Sequence, residues 1–129
     1  MVEIRKAHFP GRAPLDAYGN GGFRFAGMSH LGSLLCVPSG IYGWAPSSFA
    51  DLTPEAFEKV FEEVAGIEVL LIGTGADLRP IPAALKTLFR EAGIISDTMS
   101  TGAAVRTFNV MLAEERAVAA ALLAVDYER

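Results

Sequence analysis

The sequence predicts a single-domain α/β protein, with a β-rich N-terminal part followed by alternating strands and helices. Two observations carry this prediction. Short apolar segments separated by glycine and proline turns fill the chain as far as Trp44. After Thr53 the apolar residues recur at helical spacing, interrupted by apolar runs of strand length. The length of 129 residues suits one domain, which we expect to span residues 1–129.

Four strands are predicted in the N-terminal part, over residues 2–9, 23–25, 32–37 and 41–44. Asn20 and Gly21 tolerate positive φ and predict a turn that leads into the second of them. In that strand Phe23 and Phe25 share one face, and Arg24 takes the other. We therefore expect an antiparallel or mixed β-layer.

The first predicted helix has Thr53 as its N-cap and Pro54 in its first turn. Gly66 is expected to cap its C-terminus. Its apolar stripe consists of Phe57, Val60, Phe61 and Val64. Residues 67–72 are nearly all apolar, which predicts a central strand covered on both faces.

Two more helices and a short strand follow. Pro82 opens the second helix and Gly93 caps it, the strand covers residues 94–96, and the third helix covers residues 103–112. Their inward residues are predicted to be Leu85, Leu88, Phe89 and Ala92, then Val105, Phe108 and Leu112. This order implies parallel βαβ pairing. Residues 117–125 are ambiguous, because they follow a polar break at residues 114–116 and have the length of a strand. Their alanines favour helix, so local propensity alone predicts a helix there.

Composition excludes several classes of function. The chain is 51% hydrophobic and 20% charged, which is typical of a globular protein. Its net charge of −4 comes without the basic patch of nucleic-acid-binding proteins. The longest apolar run has nine residues, far from the roughly 20 of a membrane span. No apolar segment follows the first charges, so we expect no signal peptide and a cytoplasmic location.

Residues 73–75 offer a ligand site after a parallel strand, where α/β sheets place their binding crevice. The backbone amides of Gly73, Thr74 and Gly75 could face an anion. The segment lacks the dinucleotide and phosphate-loop fingerprints, because Leu78 replaces the third glycine and no Gly-Lys-Ser/Thr follows. The alternative is a tight strand-to-loop turn.

Arg106, near the start of the third helix, could hold a carboxylate or phosphate beside free helix amides. Alternatively, it could pair with Asp97 or cap a loop. We hypothesise that Arg106 and residues 73–75 line one small-anion crevice.

Few other residues suggest chemistry. Trp44 either packs in the core or anchors a protein partner, and packing is favoured. The single cysteine, Cys36, lies in an apolar run and is predicted to be a buried thiol. His8 and His30 have no cysteine or carboxylate at metal-ligand spacing, so no metal or cofactor is predicted. No nucleophile has a base at suggestive spacing, so no catalytic residue is assigned.

Five segments carry a family resemblance. They are residues 19–25, residues 32–35, Trp44, residues 67–75 and residues 103–114. In this order and spacing they resemble the family of small proteins that includes the mitochondrial NADH dehydrogenase (complex I) assembly factor 3. The resemblance implies a three-layer α/β domain around a mixed sheet. It also implies that residues 117–123 form a last strand, antiparallel to its neighbours, against the propensity for helix.

Two classes of function remain open. The resemblance implies a protein-interaction or complex-assembly factor with a protein partner, in respiratory complex I by analogy. The alternative is a small-molecule or anion-binding protein, or an enzyme of unknown reaction, that uses the crevice at residues 73–75 and Arg106. A homodimer is also compatible with the sequence, because small apolar-rich domains often pair symmetrically.

Overall fold

The computed structural model describes residues 8–126, which form nine strands and three α-helices. The strands are β1 (Phe9–Pro10), β2 (Leu15–Gly19), β3 (Gly22–Phe25), β4 (Met28–Leu31), β5 (Ser33–Val37), β6 (Gly40–Trp44), β7 (Val69–Gly73), β8 (Ile95–Met99) and β9 (Val118–Leu122). The helices are α1 (Glu58–Glu62), α2 (Ala83–Glu91) and α3 (Thr101–Ala113). Most of the strand predicted over residues 2–9 lies outside the described residues.

The strands form two sheets. The larger has six strands in the order β1-β6-β5-β9-β7-β8, and the smaller has three in the order β2-β3-β4. β7 pairs in parallel with both β8 and β9, whereas β5 pairs antiparallel with β6 and β9. The predicted mixed, partly parallel sheet is therefore confirmed, together with an N-terminal β-layer.

Alternation along β7 divides the core between the two faces of the larger sheet. Leu70 and Ile72 join a cluster with α1 and α2, whereas Val69 and Leu71 join a cluster with α3 and the smaller sheet. All five residues of β7 are buried, as expected of a central strand. The result is the three-layer arrangement that the family resemblance implied.

The predicted turn at Asn20 and Gly21 joins β2 to β3. Both residues have positive φ, 52° and 79°, which is the backbone that a two-residue hairpin turn requires. Phe23 and Phe25 are buried and Arg24 is exposed, as the alternation predicts.

The first helical segment is less regular than predicted. The short 3₁₀ turns Pro54–Phe57 and Val64–Gly66 flank α1, and the side chain of Thr53 makes no capping hydrogen bond. Gly66 does not have the positive φ of a C-terminal cap. A Cβ at this position would lie 3.0 Å from Cγ of Pro38, so close approach to that ring accounts for the glycine.

The other two helices follow the prediction closely. Gly93 has φ of 84° and ends α2 as predicted, but Leu88 is 39% exposed and does not belong to the buried face. α3 begins at Thr101, two residues earlier than predicted, because the Ser100 side chain accepts a hydrogen bond from the Ala103 amide over 3.3 Å. β8 runs to Met99 and is longer than predicted.

The alanine-rich segment is a strand, so the helix that propensity predicts is wrong and the resemblance is right. β9 lies between β5 and β7, and all five of its residues are buried. Pairing on both edges and burial on both faces outweigh the helix preference of alanine. The implied antiparallel pairing holds only towards β5, because β9 runs parallel to β7.

Candidate functional site

The loop at residues 73–75 uses its polar groups within the chain. The Thr74 amide donates to the Met99 carbonyl over 2.9 Å, and the Thr74 hydroxyl donates to the Asp77 carbonyl over 2.6 Å. The Gly75 amide donates to Oγ1 of Thr101 over 3.0 Å. These are the contacts of a tight strand-to-loop turn.

Thr101, which the sequence did not single out, organises this loop. It is fully buried, and its hydroxyl donates to the Leu123 carbonyl over 2.7 Å while accepting from the Gly75 amide. A Cβ at Gly73 would lie 2.9 Å from Cα of Thr101. Gly73 is therefore a close-approach residue that lets the start of α3 pack against the end of β7.

Arg106 lies on the exposed side of α3. The alternative ion pair with Asp97 is not formed, since the ion pairs found within residues 8–126 join Lys59 to Glu62 and Glu63, and Arg116 to Glu68. The small-anion crevice stays a prediction.

Trp44 is 8% exposed and packs as favoured from the sequence. Its indole N–H donates to the Ala56 carbonyl over 2.7 Å, and its ring meets the Phe57 ring edge-on at 5.4 Å between centroids. Trp44 also lines a groove of about 650 Å³ between β6 and α1. Its role as an interaction anchor stays a prediction.

The groove has an acidic rim that the sequence reading missed. Glu55, Glu58 and Glu62 line it together with Lys59, whose ammonium lies 5.1 Å from the Tyr42 ring centroid. On the sequence these acids look like the ordinary solvated face of a helix. Only the position of α1 beside β6 turns them into the side of a concave surface.

Cys36 is buried as predicted, and burial raises the pKa of its thiol well above the ordinary range.

The His8 and His30 rings lie 4.8 Å apart between centroids, although 22 positions separate them in the chain. Within residues 8–126 no three His, Cys, Asp or Glu side chains gather in a way that could hold a metal ion. None of the helices in this range is long and apolar enough to cross a membrane.

Both the sequence and the fold of this chain are similar to those of known proteins. The family of proteins of unknown function DUF498/DUF598 matches residues 15–123. An uncharacterised protein of Rhodobacter capsulatus is 38% identical over 120 residues, which cover 92% of this chain and 90% of that protein. Solved structures include an outer membrane protein from Bartonella henselae, 64% identical with a TM-score of 0.88, covering 92% of this chain and 99% of that one.

A more distant relative carries a functional name. The NADH dehydrogenase [ubiquinone] 1 alpha subcomplex assembly factor 3 of Mus musculus is 27% identical over 122 residues. The match covers 95% of this chain but 66% of the mouse protein. The chain therefore spans slightly less than two thirds of the length of that relative.

Proposed function

We propose that this chain, which belongs to the DUF498/DUF598 family of proteins of unknown function, is an assembly factor that acts through contacts with other proteins. The observation that carries the proposal is the relative named as an assembly factor, which aligns with 95% of this chain. The open groove lined by Trp44 and the half-buried Tyr42 adds physical support, since tryptophan and tyrosine are enriched among the anchor residues of protein interfaces.

The finer proposal concerns the complex that is assembled. The name of the mouse relative refers to NADH dehydrogenase. We propose that this chain takes part in assembling NADH dehydrogenase in its own host. Deletion of its gene should then lower the amount of assembled NADH dehydrogenase, as measured by native gel electrophoresis of membranes. Reintroducing the intact gene should restore it. Normal levels of the assembled enzyme in the deletion strain would remove this finer proposal and leave the general one.

The general proposal is tested by affinity purification of the tagged chain from its native host, with quantitative mass spectrometry. We expect at least one protein to be enriched reproducibly over a tag-only control. Recovery of the chain alone, under mild lysis and after chemical cross-linking, would contradict an interaction function.

The cytoplasmic location is likewise a proposal, and one structural relative is described as an outer membrane protein. Cell fractionation with immunodetection distinguishes a cytoplasmic location from a membrane location. We expect the chain in the soluble cytoplasmic fraction, and recovery in the membrane fraction after a salt wash would contradict it.

The small-anion alternative has a direct test. If residues 73–75 and Arg106 bound an anion, phosphate or sulfate would raise the melting temperature of the wild type and not of Arg106→Ala. The amides of Thr74 and Gly75 already have partners in the chain, so we expect the same response in both proteins.

A further inference from the structure

We infer that the groove between β6 and α1 docks a basic, partly apolar segment of a partner protein. The inference rests on the proposed interaction function and specifies the chemistry of the partner. Its basis is the shape of the groove, its aromatic wall and the uncompensated charge of its rim.

Two shallow depressions lie close to the groove. One of about 460 Å³ is lined by Pro54 and Phe61, and another of about 450 Å³ by Pro46 and Thr53. All three share Glu55 in their lining, so they lie near one another around the start of the helical segment. A surface with several neighbouring depressions suits an extended polypeptide segment better than a compact ligand.

The aromatic wall of the groove is held firmly in place. Trp44 is fixed by its hydrogen bond to the Ala56 carbonyl and by its edge-on contact with Phe57. Tyr42 lies beside it on β6, and its hydroxyl is 2.6 Å from Oγ of Ser39. A rigid aromatic wall offers an apolar side chain contact area at little entropic cost.

The rim carries more negative charge than the ion pairs of the described part of the chain neutralise. Of the described residues 8–126 that line the three depressions, Lys59 alone is basic, and it already pairs with Glu62 at 3.8 Å and Glu63 at 3.5 Å. Glu55 and Glu58 are exposed and belong to none of the ion pairs found within residues 8–126. A complementary partner therefore brings lysine or arginine to the rim.

The chain supplies its own reporter for a binding experiment, because Trp44 is its only tryptophan. The probe is a tryptophan-free peptide of alternating lysine with leucine or phenylalanine. Two comparison peptides replace every lysine by glutamate, or every apolar residue by serine. We expect the first peptide to change Trp44 fluorescence saturably and to shift amide signals of β6 and α1 in NMR spectra. Both comparison peptides should bind at least about tenfold more weakly.

Matched variants test whether the rim is responsible. The double variant Glu55→Lys and Glu58→Lys should weaken the first peptide about tenfold or more, and added salt should weaken its binding to the wild type. The double variant Glu114→Lys and Glu115→Lys applies the same charge change beyond the end of α3, which packs on the other face of the sheet. It should bind like the wild type. Circular dichroism and melting curves check that each variant is folded.

Two results would overturn the inference. One is equal binding of the basic and acidic peptides, or of the wild type and the Glu55/Glu58 variant. The other is a dimer in sedimentation equilibrium whose interface covers Trp44, because the occupant would then be a second copy of the chain. Neither result affects the proposed interaction function, which fails only if affinity purification finds no partner.

Discussion

The side chain of Asn109 on α3 pairs with the backbone of Leu15 on β2 through two hydrogen bonds. Its Nδ2 donates to the Leu15 carbonyl over 2.7 Å, and its Oδ1 accepts from the Leu15 amide over 2.8 Å. The Asn109 side chain thus forms with Leu15 the two backbone hydrogen bonds that a neighbouring strand would otherwise form. This contact joins elements 94 positions apart in the chain.

We expect Asn109→Ala to lower the free energy of unfolding by about 2–3 kcal/mol, since both Leu15 groups lose a partner at a partly buried position. Urea denaturation at neutral pH measures the change. Asn109→Asp is a sharper variant, because a carboxylate accepts from the Leu15 amide but faces the Leu15 carbonyl without a proton. It should be at least as destabilised at pH 7 and partly recover near pH 4. A wild-type stability for Asn109→Asp at pH 7 would contradict the bidentate geometry.

Thr101 should prove more important for stability than its size suggests. Thr101→Val keeps the shape but leaves the Leu123 carbonyl and the Gly75 amide without their hydroxyl partner, at an expected cost of about 2–4 kcal/mol. Thr101→Ser keeps the hydroxyl and loses one methyl group, at an expected cost of about 1 kcal/mol. Equal stability of the two variants in chemical denaturation would show that the buried hydroxyl is not what holds the loop.

Gly102 marks a close contact between α3 and β2. A Cβ there would overlap the hydroxyl of Tyr18, so Gly102→Ala should destabilise the protein by about 1–3 kcal/mol, although alanine is the better helix former. In the Tyr18→Phe background the overlapping oxygen is gone, and the cost of Gly102→Ala should fall. A double-mutant cycle measures this coupling, and strictly additive effects would argue against the contact.

The hydrogen bonds of Asp51 indicate that the stability of the fold depends on pH. Hydrogen bonds from the Ser47 and Ser48 amides lower the pKa of its carboxyl group. A carboxyl whose pKa is lower in the folded state stabilises the fold above its unfolded pKa, and this contribution is lost as the pH falls below about 4. Asp51→Asn should therefore have a lower melting temperature at pH 7, and the difference from the wild type should shrink at pH 3. A difference that stays constant with pH would exclude an effect of the ionised carboxyl.

Local patterns predicted most of the fold because they reflect forces that act within one element. The hairpin at Asn20 and Gly21 follows from backbone preferences, and the fully apolar run of β7 follows from burial on both faces. The alanines of β9 do not indicate a strand, because its environment comes from β5 and β7, neither of which is near it in the chain. Here the family resemblance supplied what local propensity lacked.

The candidate site was harder to predict because its residues meet only in three dimensions. The close approach of Gly73 to Thr101 joins β7 to α3, and no local pattern in either segment signals it. Trp44 and Glu55 form one surface, but they lie in segments with different periodicity, and nothing in either segment signals the other. Sequence reasoning identified Trp44 as a residue of interest but not the acids that face it.

The most direct test of the account is quantitative affinity purification from the native host with three tagged proteins. These are the wild type, the Glu55→Lys and Glu58→Lys double variant, and the Glu114→Lys and Glu115→Lys control. We predict that the wild type and the control recover the same partner, and that the groove variant recovers about tenfold less of it. Equal recovery by all three proteins would contradict docking at the groove. The absence of any enriched partner with the wild type would contradict the proposed function itself.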